Sequence, residues 1–158
     1  MKKYLKYIIG LVVLLVVIGI VSLFVYIFTR PDVVECSSNI KETEYTINNK
    51  YKIYHKKEIV EKVLIEKEIE SKNNTVLSFF ENNYKEEFEK YNKDYGGYTI
   101  SSKKDGNKMI VSIELDIKKV DMDKLKAKRS YLKDDVVKKN LKLEGIYKLY
   151  NLDKNRCK

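Results

Sequence analysis

Residues 8–28, IIGLVVLLVVIGIVSLFVYIF, run for 21 positions without a charged side chain, and this feature constrains the chain more than any other. A helix rising about 1.5 Å per residue over that length spans roughly 30 Å of hydrocarbon. Lys2, Lys3 and Lys6 precede the run and only Arg30 follows it closely. That asymmetry predicts a cytoplasmic N-terminus, with the bulk of the chain outside. Tyr4, Tyr7 and Tyr26 stand where an interfacial aromatic belt would place them. A cleavable secretory signal is the rival reading. Its apolar region runs about 7–15 residues and ends in a small-x-small site, whereas Thr29-Arg30-Pro31-Asp32 offers none. The expectation is a single-pass signal anchor in the cell membrane over residues 1–30, then a polar connector at residues 31–41. An extracytoplasmic domain follows at residues 42–158.

Charge excludes one class of partner. The 158 residues hold 32 basic and 23 acidic groups, and four of the basic ones lie in the first 30 positions. The remaining balance is too even for a dedicated nucleic-acid surface, which concentrates positive charge on one face. One His, two Cys and no Trp leave little material for metal or nucleophilic chemistry.

The outer part reads as α+β: an antiparallel sheet of two hairpins packed against helices. Tyr45-Thr46-Ile47, a turn at Asn48-Asn49 and a strand over residues 51–54 suggest a first hairpin. Residues 55–58 read as a charged turn and residues 59–70 as a long β-branched strand. Asn73-Asn74-Thr75 can cap a helix whose stripe is Val76, Leu77, Phe80, Tyr84, Phe88 and Tyr91. Gly96-Gly97 should end it. Around Asp105-Gly106-Asn107 lies the second hairpin, with Met109, Val111, Ile113, Leu115 and Ile117 apolar at every second position. Asp121 can cap a short helix. Residues 129–140 read as a charged loop or frayed helix, and residues 141–152 as a closing helix.

Residues 91–126, YNKDYGGYTISSKKDGNKMIVSIELDIKKVDMDKLK, resemble the YehR-like lipoprotein family, small bacterial envelope proteins of unknown function. The matching positions are Gly97, Tyr98-Thr99, the Asp105-Gly106 turn, the alternating strand at residues 110–117 and the helix start at residues 121–126. The resemblance implies an envelope location and brings no substrate or catalytic residue. Family members carry a lipobox. Here Cys36 follows Val33-Val34-Glu35 and has none.

Candidate chemistry is sparse, and no cofactor is implied. His55 lies beside Lys56-Lys57 with no nucleophile pattern around it. Asp121-x-Asp123 suits capping better than a cation site. Glu66, Glu68 and Glu70 line one polar strand face. A basic stretch is the remaining excess: Lys124, Lys126, Lys128, Arg129, Lys133, Lys138 and Lys139 are candidates for contact with anionic lipid or wall polymer, against a plain solvated face. Cys36 and Cys157 bracket the outer part in a disulfide-permissive compartment and are expected to bond, which needs their Cα atoms within about 7 Å; two free thiols are the alternative. The chain thus reads as a membrane-anchored binding or structural module of the bacterial cell envelope rather than an enzyme. The alternatives are a subunit of a membrane protein complex and an envelope enzyme without a recognisable motif.

Overall fold

A computed structural model describes Val12, residues 14–25 and residues 30–158, and the chain divides into two units, Met1–Pro31 and Asp32–Lys158. In the first unit residues 14–25 are helical, and their Leu, Val, Ile and Phe side chains are exposed. No helix among the described residues is long and apolar enough to cross a membrane. Residues 8–11, 13 and 26–28 of the expected span lie outside the described residues, as do Tyr4, Tyr7 and Tyr26.

The second unit is built on one antiparallel sheet of five strands: β1 (Asp32–Lys41), β2 (Thr46–Lys56), β3 (Ile59–Glu70), β4 (Tyr98–Asp105) and β5 (Lys108–Asp116). Their order across the sheet is β1-β2-β3-β5-β4. Three helices accompany them: α1 (Asn74–Tyr95), α2 (Met122–Lys128) and α3 (Leu143–Leu149). Pairing aligns side chains in rows across the face that carries the buried residues. One row is Val34, Ile53, Val63, Leu115 and Tyr98; the next is Cys36, Tyr51, Ile65, Ile113 and Ile100. A third is Ser38, Asn49, Lys67, Val111 and Ser102. Strand period two puts each set on one side of the sheet, and Leu77, Phe88, Met122, Leu125 and Ile146 of the helices are buried with the apolar members of these rows in one core.

The opposite face is a charged ladder. Lys50 pairs with Glu66 at 3.4 Å, Lys62 with Glu114 at 3.7 Å, and Lys108 with Glu68 and Glu70 at 2.9 and 2.7 Å. Such exposed pairs add little stability individually, typically below about 1 kcal/mol.

Several expected boundaries hold. Asn73 caps α1 by accepting from the Thr75 N–H at 2.9 Å, and Gly96 at φ 77° ends it. Asp121 accepts from the N–H groups of Asp123 and Lys124 to start α2. The hairpin turn falls at Gly106-Asn107, between paired Asp105 and Lys108.

Four expectations are corrected. The connector at residues 31–41 is strand β1, paired with β2 along its whole length; its polar Ser37-Ser38-Asn39 hides a strand that depends on its partner. Asn48-Asn49 is no turn but the middle of β2, so the first hairpin turns instead at residues 57–58, between β2 and β3. Residues 129–140 are neither loop nor frayed helix throughout, because a small hairpin, β6 (Val136–Val137) with β7 (Asn140–Leu141), buries Leu132, Leu141 and Asp135. Asp135 is held there by the Lys148 ammonium at 2.7 Å. The closing helix is shorter than residues 141–152, since residues 141 and 142 are taken up in strand pairing and by a backbone bridge from Lys142 to Ile59.

Candidate functional site

The third row across the covered face breaks the apolar pattern. Lys67 shares its phase with Ile65 and Ile69, so β3 delivers an ammonium to the core side. Its Nζ donates to the Asn49 amide oxygen at 3.2 Å, and Asn49 donates onward to the Ser38 hydroxyl at 3.1 Å. The same ammonium lies 4.8 Å from the centre of the Tyr84 ring. Among the described residues no carboxylate is within ion-pair distance of it. Desolvation lowers the Lys67 pKa, and the more distant Glu87 opposes that shift.

Beside Lys67 a cleft of about 250 Å³ opens where the sheet, α1 and the C-terminal ends of α2 and α3 converge. Tyr51 and Ile65 form its floor from β2 and β3, and α1 contributes Glu87, Phe88 and Tyr91. Arg129, the residue closing α2, brings its guanidinium 5.2 Å from the Tyr91 ring centre. Tyr150, just past α3, tilts against Tyr51 with ring centres 5.7 Å apart, and its hydroxyl meets that of Tyr98 at 3.1 Å. The Glu87 carboxylate accepts from the Tyr91 hydroxyl at 2.7 Å and is thereby occupied.

The phenols of this cluster are held neutral. Burial pushes Tyr84 and Tyr91 up to about 12, with Glu87 adding to both. Burial also raises Tyr51, and it carries Tyr98 and Tyr150 well above the ordinary phenol range. Each therefore keeps its proton at neutral pH and can donate a hydrogen bond. In the Tyr98–Tyr150 contact one hydroxyl donates to the other, which leaves a second phenolic proton for another acceptor. The Tyr95 hydroxyl is buried near Tyr98 and Arg129 and makes no well-formed hydrogen bond. The cleft is thus rich in donors, with two cations, one carboxylate already engaged, and aromatic walls.

A wider recess of about 350 Å³ lies on the open face between Lys50, Lys52, Leu64 and Thr99. Its lysines are already neutralised, Lys50 by Glu66 and Lys52 by Glu35 at 2.9 Å. The smaller cleft has the unmatched charge and is the better candidate.

No family model matches the chain, and no curated protein does. The NMR structure of the E. coli YehR protein is similar, with a TM-score of 0.50 at 15% identity, covering 78% of this chain and 90% of that one. The fold is YehR-like. At that identity the likeness carries the architecture alone.

The residues singled out in the sequence are dispersed over this YehR-like domain. Cys36 and Cys157 meet in a disulfide, with Cα atoms 4.1 Å apart. Within the basic stretch, Lys124 pairs with Asp121 at 3.6 Å, Lys126 with Asp123 at 2.9 Å and Lys128 with Asp94 at 3.3 Å. Arg129 turns to the cleft. Lys133, Lys138 and Lys139 are exposed, and Lys138 and Lys139 form the β6–β7 turn. His55 is the penultimate residue of β2, just before the turn at residues 57–58, with Nδ1 2.6 Å from the Lys57 carbonyl oxygen. Sequence reasoning passed over Lys67 by attending to the glutamates on either side; its alternation with Ile65 and Ile69 was the available signal.

Proposed function

We propose that the chain is a membrane-anchored binding module of the bacterial cell envelope, held by its N-terminal apolar run with residues 32–158 outside. The Cys36–Cys157 bridge carries this reading. Disulfides form and persist in oxidising compartments, and these are the chain's two cysteines. The uncharged run preceded by three lysines supports an uncleaved anchor. Binding rather than purely structural work is supported by the donor-rich cleft at Lys67. In this reading the exposed lysines at 133, 138 and 139 contact anionic lipid or wall polymer.

Membrane-extracted protein should begin at or near Met1 on N-terminal sequencing. In intact cells a membrane-impermeant amine reagent should label lysines of residues 32–158. Recovery of a soluble form starting near residue 30 overturns the anchor, and protection of those lysines until the cells are lysed overturns the outside location.

A further inference from the structure

Lys67 is an ammonium drawn out of bulk water and given a neutral amide oxygen and a ring face in place of a counter-ion. A half-buried cation is ordinarily paired as well, because partial desolvation without a partner carries a cost. Arg129 brings a second cation to the same cleft, stacked over Tyr91. Against these two positive charges stands Glu87, engaged by the Tyr91 hydroxyl. The net charge of the lining is therefore +1, which a monoanion neutralises and a dianion exceeds.

Shape narrows the class further. The cleft, at about 250 Å³, falls below the roughly 300 Å³ at which sites for drug-sized ligands begin. A volume of that size suits a ligand with about one ring inside the cleft. Tyr51, Phe88, Tyr91 and Tyr150 supply aromatic faces against which a flat or sugar ring can lie.

We infer that this cleft binds a small carboxylate carried on a single ring, its charge matched by the Lys67 and Arg129 cations of the lining and its ring lying against the aromatic wall. The inference rests on reading the domain as a binding module and adds the class of ligand. An aromatic acid and a sugar acid share this chemistry, and titration separates them.

The test uses the full-length protein in non-ionic detergent, titrated calorimetrically with benzoate, glucuronate, benzamide, glucose and inorganic phosphate. At least one of the two ring carboxylates should bind saturably, and whichever binds identifies the ring. Its neutral counterpart should bind roughly tenfold weaker or worse, about the value of one charge-assisted contact. Lys67→Met should weaken the carboxylate by a similar factor, with a cooperative melting transition retained, although it also leaves the Asn49 amide oxygen without its donor. Should Lys67→Met fail to fold, Arg129→Gln serves as the second variant, with the same loss of binding expected. Equal binding of acid and neutral analogue, tighter binding of phosphate than of either acid, or no saturable binding by either acid at millimolar concentration overturns the inference. A protein that binds a ring acid but is not labelled from outside the cell would sink the envelope reading and leave the cleft assignment standing.

Discussion

Cys36 in strand β1 and Cys157 near the chain's end are bonded across a separation of 121 residues, with their Cα atoms 4.1 Å apart. The bond does not stand alone. The Glu35 N–H donates to the Lys158 carbonyl at 2.8 Å and the Lys158 N–H returns to the Glu35 carbonyl at 2.9 Å. The last residues therefore occupy part of the outer edge of β1, which would otherwise present unpaired backbone groups. In the chain-entropy model a loop of this length restricts the unfolded state by up to about 5 kcal/mol. The double variant Cys36→Ala/Cys157→Ala should lose roughly 2–5 kcal/mol in denaturant unfolding. A linked peptide pair should appear by mass spectrometry of the unreduced protein. An unchanged unfolding midpoint in the double variant would contradict this assignment of stability to the bridge.

Gly97 makes a second point of strain-free closure. Its φ is +91°, and a Cβ there would stand 2.5 Å from a Val120 methyl and 3.0 Å from the Asp116 carbonyl oxygen. The Asp116 N–H also donates to the Gly97 carbonyl at 2.9 Å, fixing the approach of β4 to the end of β5. Gly97→Ala must bear both the backbone penalty and the clash, for about 2–4 kcal/mol. Gly106→Ala is the control: its φ is +56° with open space around it, so it should cost only about 1 kcal/mol. Chemical denaturation of the two variants should separate them by at least their difference in crowding.

Period and punctuation explain why so much of this fold was legible. The strand β5 could be read because Met109, Val111, Ile113 and Leu115 alternate cleanly, and all four are buried. Helix α1 was bounded by Asn73 and Gly96, whose chemistry is local. β1 was missed because its stability lies in its partner: only Cys36 of its ten residues is fully buried. Asn49 was misread as a turn residue because turn preference is local, whereas its amide is held by Ser38 and Lys67 from two other strands. The cleft was hidden for a related reason. Lys67, Arg129 and Tyr150 come from three distant segments, and Arg129 looked like one more member of a basic run until α2 ended with it facing Tyr91.

The tyrosine cluster sets an alkaline limit on stability. Tyr84 and Tyr91 have folded-state pKa values raised to about 12, above the ordinary value of 10.0. The folded protein therefore holds these protons more tightly than the unfolded chain. Their contribution is fully present below about pH 10 and is lost as pH rises through about 12. Ultraviolet titration of phenolate should show a first, ordinary group of tyrosines and a delayed group that ionises together with loss of near-ultraviolet circular dichroism. Ionisation of all tyrosines in one ordinary transition, with the fold intact, would refute the burial of this cluster.

The basic stretch divides into two halves with different expected behaviour toward anionic surfaces. Lys124, Lys126 and Lys128 each have an aspartate within 3.6 Å, so their field is locally cancelled. Lys133, Lys138 and Lys139 form no ion pair among the described residues, and Asp134 is the one exposed acid between positions 129 and 142. An exposed lysine near an anionic membrane adds about 1 kcal/mol of attraction when its charge is unopposed. Charge reversal at 133, 138 and 139 should therefore reduce binding of the protein to anionic vesicles or wall polymer far more than reversal at 124, 126 and 128. Added salt should erase the difference, since the Debye length is only about 8 Å at physiological ionic strength and shrinks further above it. Vesicle co-sedimentation of the two triple variants over a salt series decides the matter: equal losses in both, or binding indifferent to salt, would rule out contact through Lys133, Lys138 and Lys139.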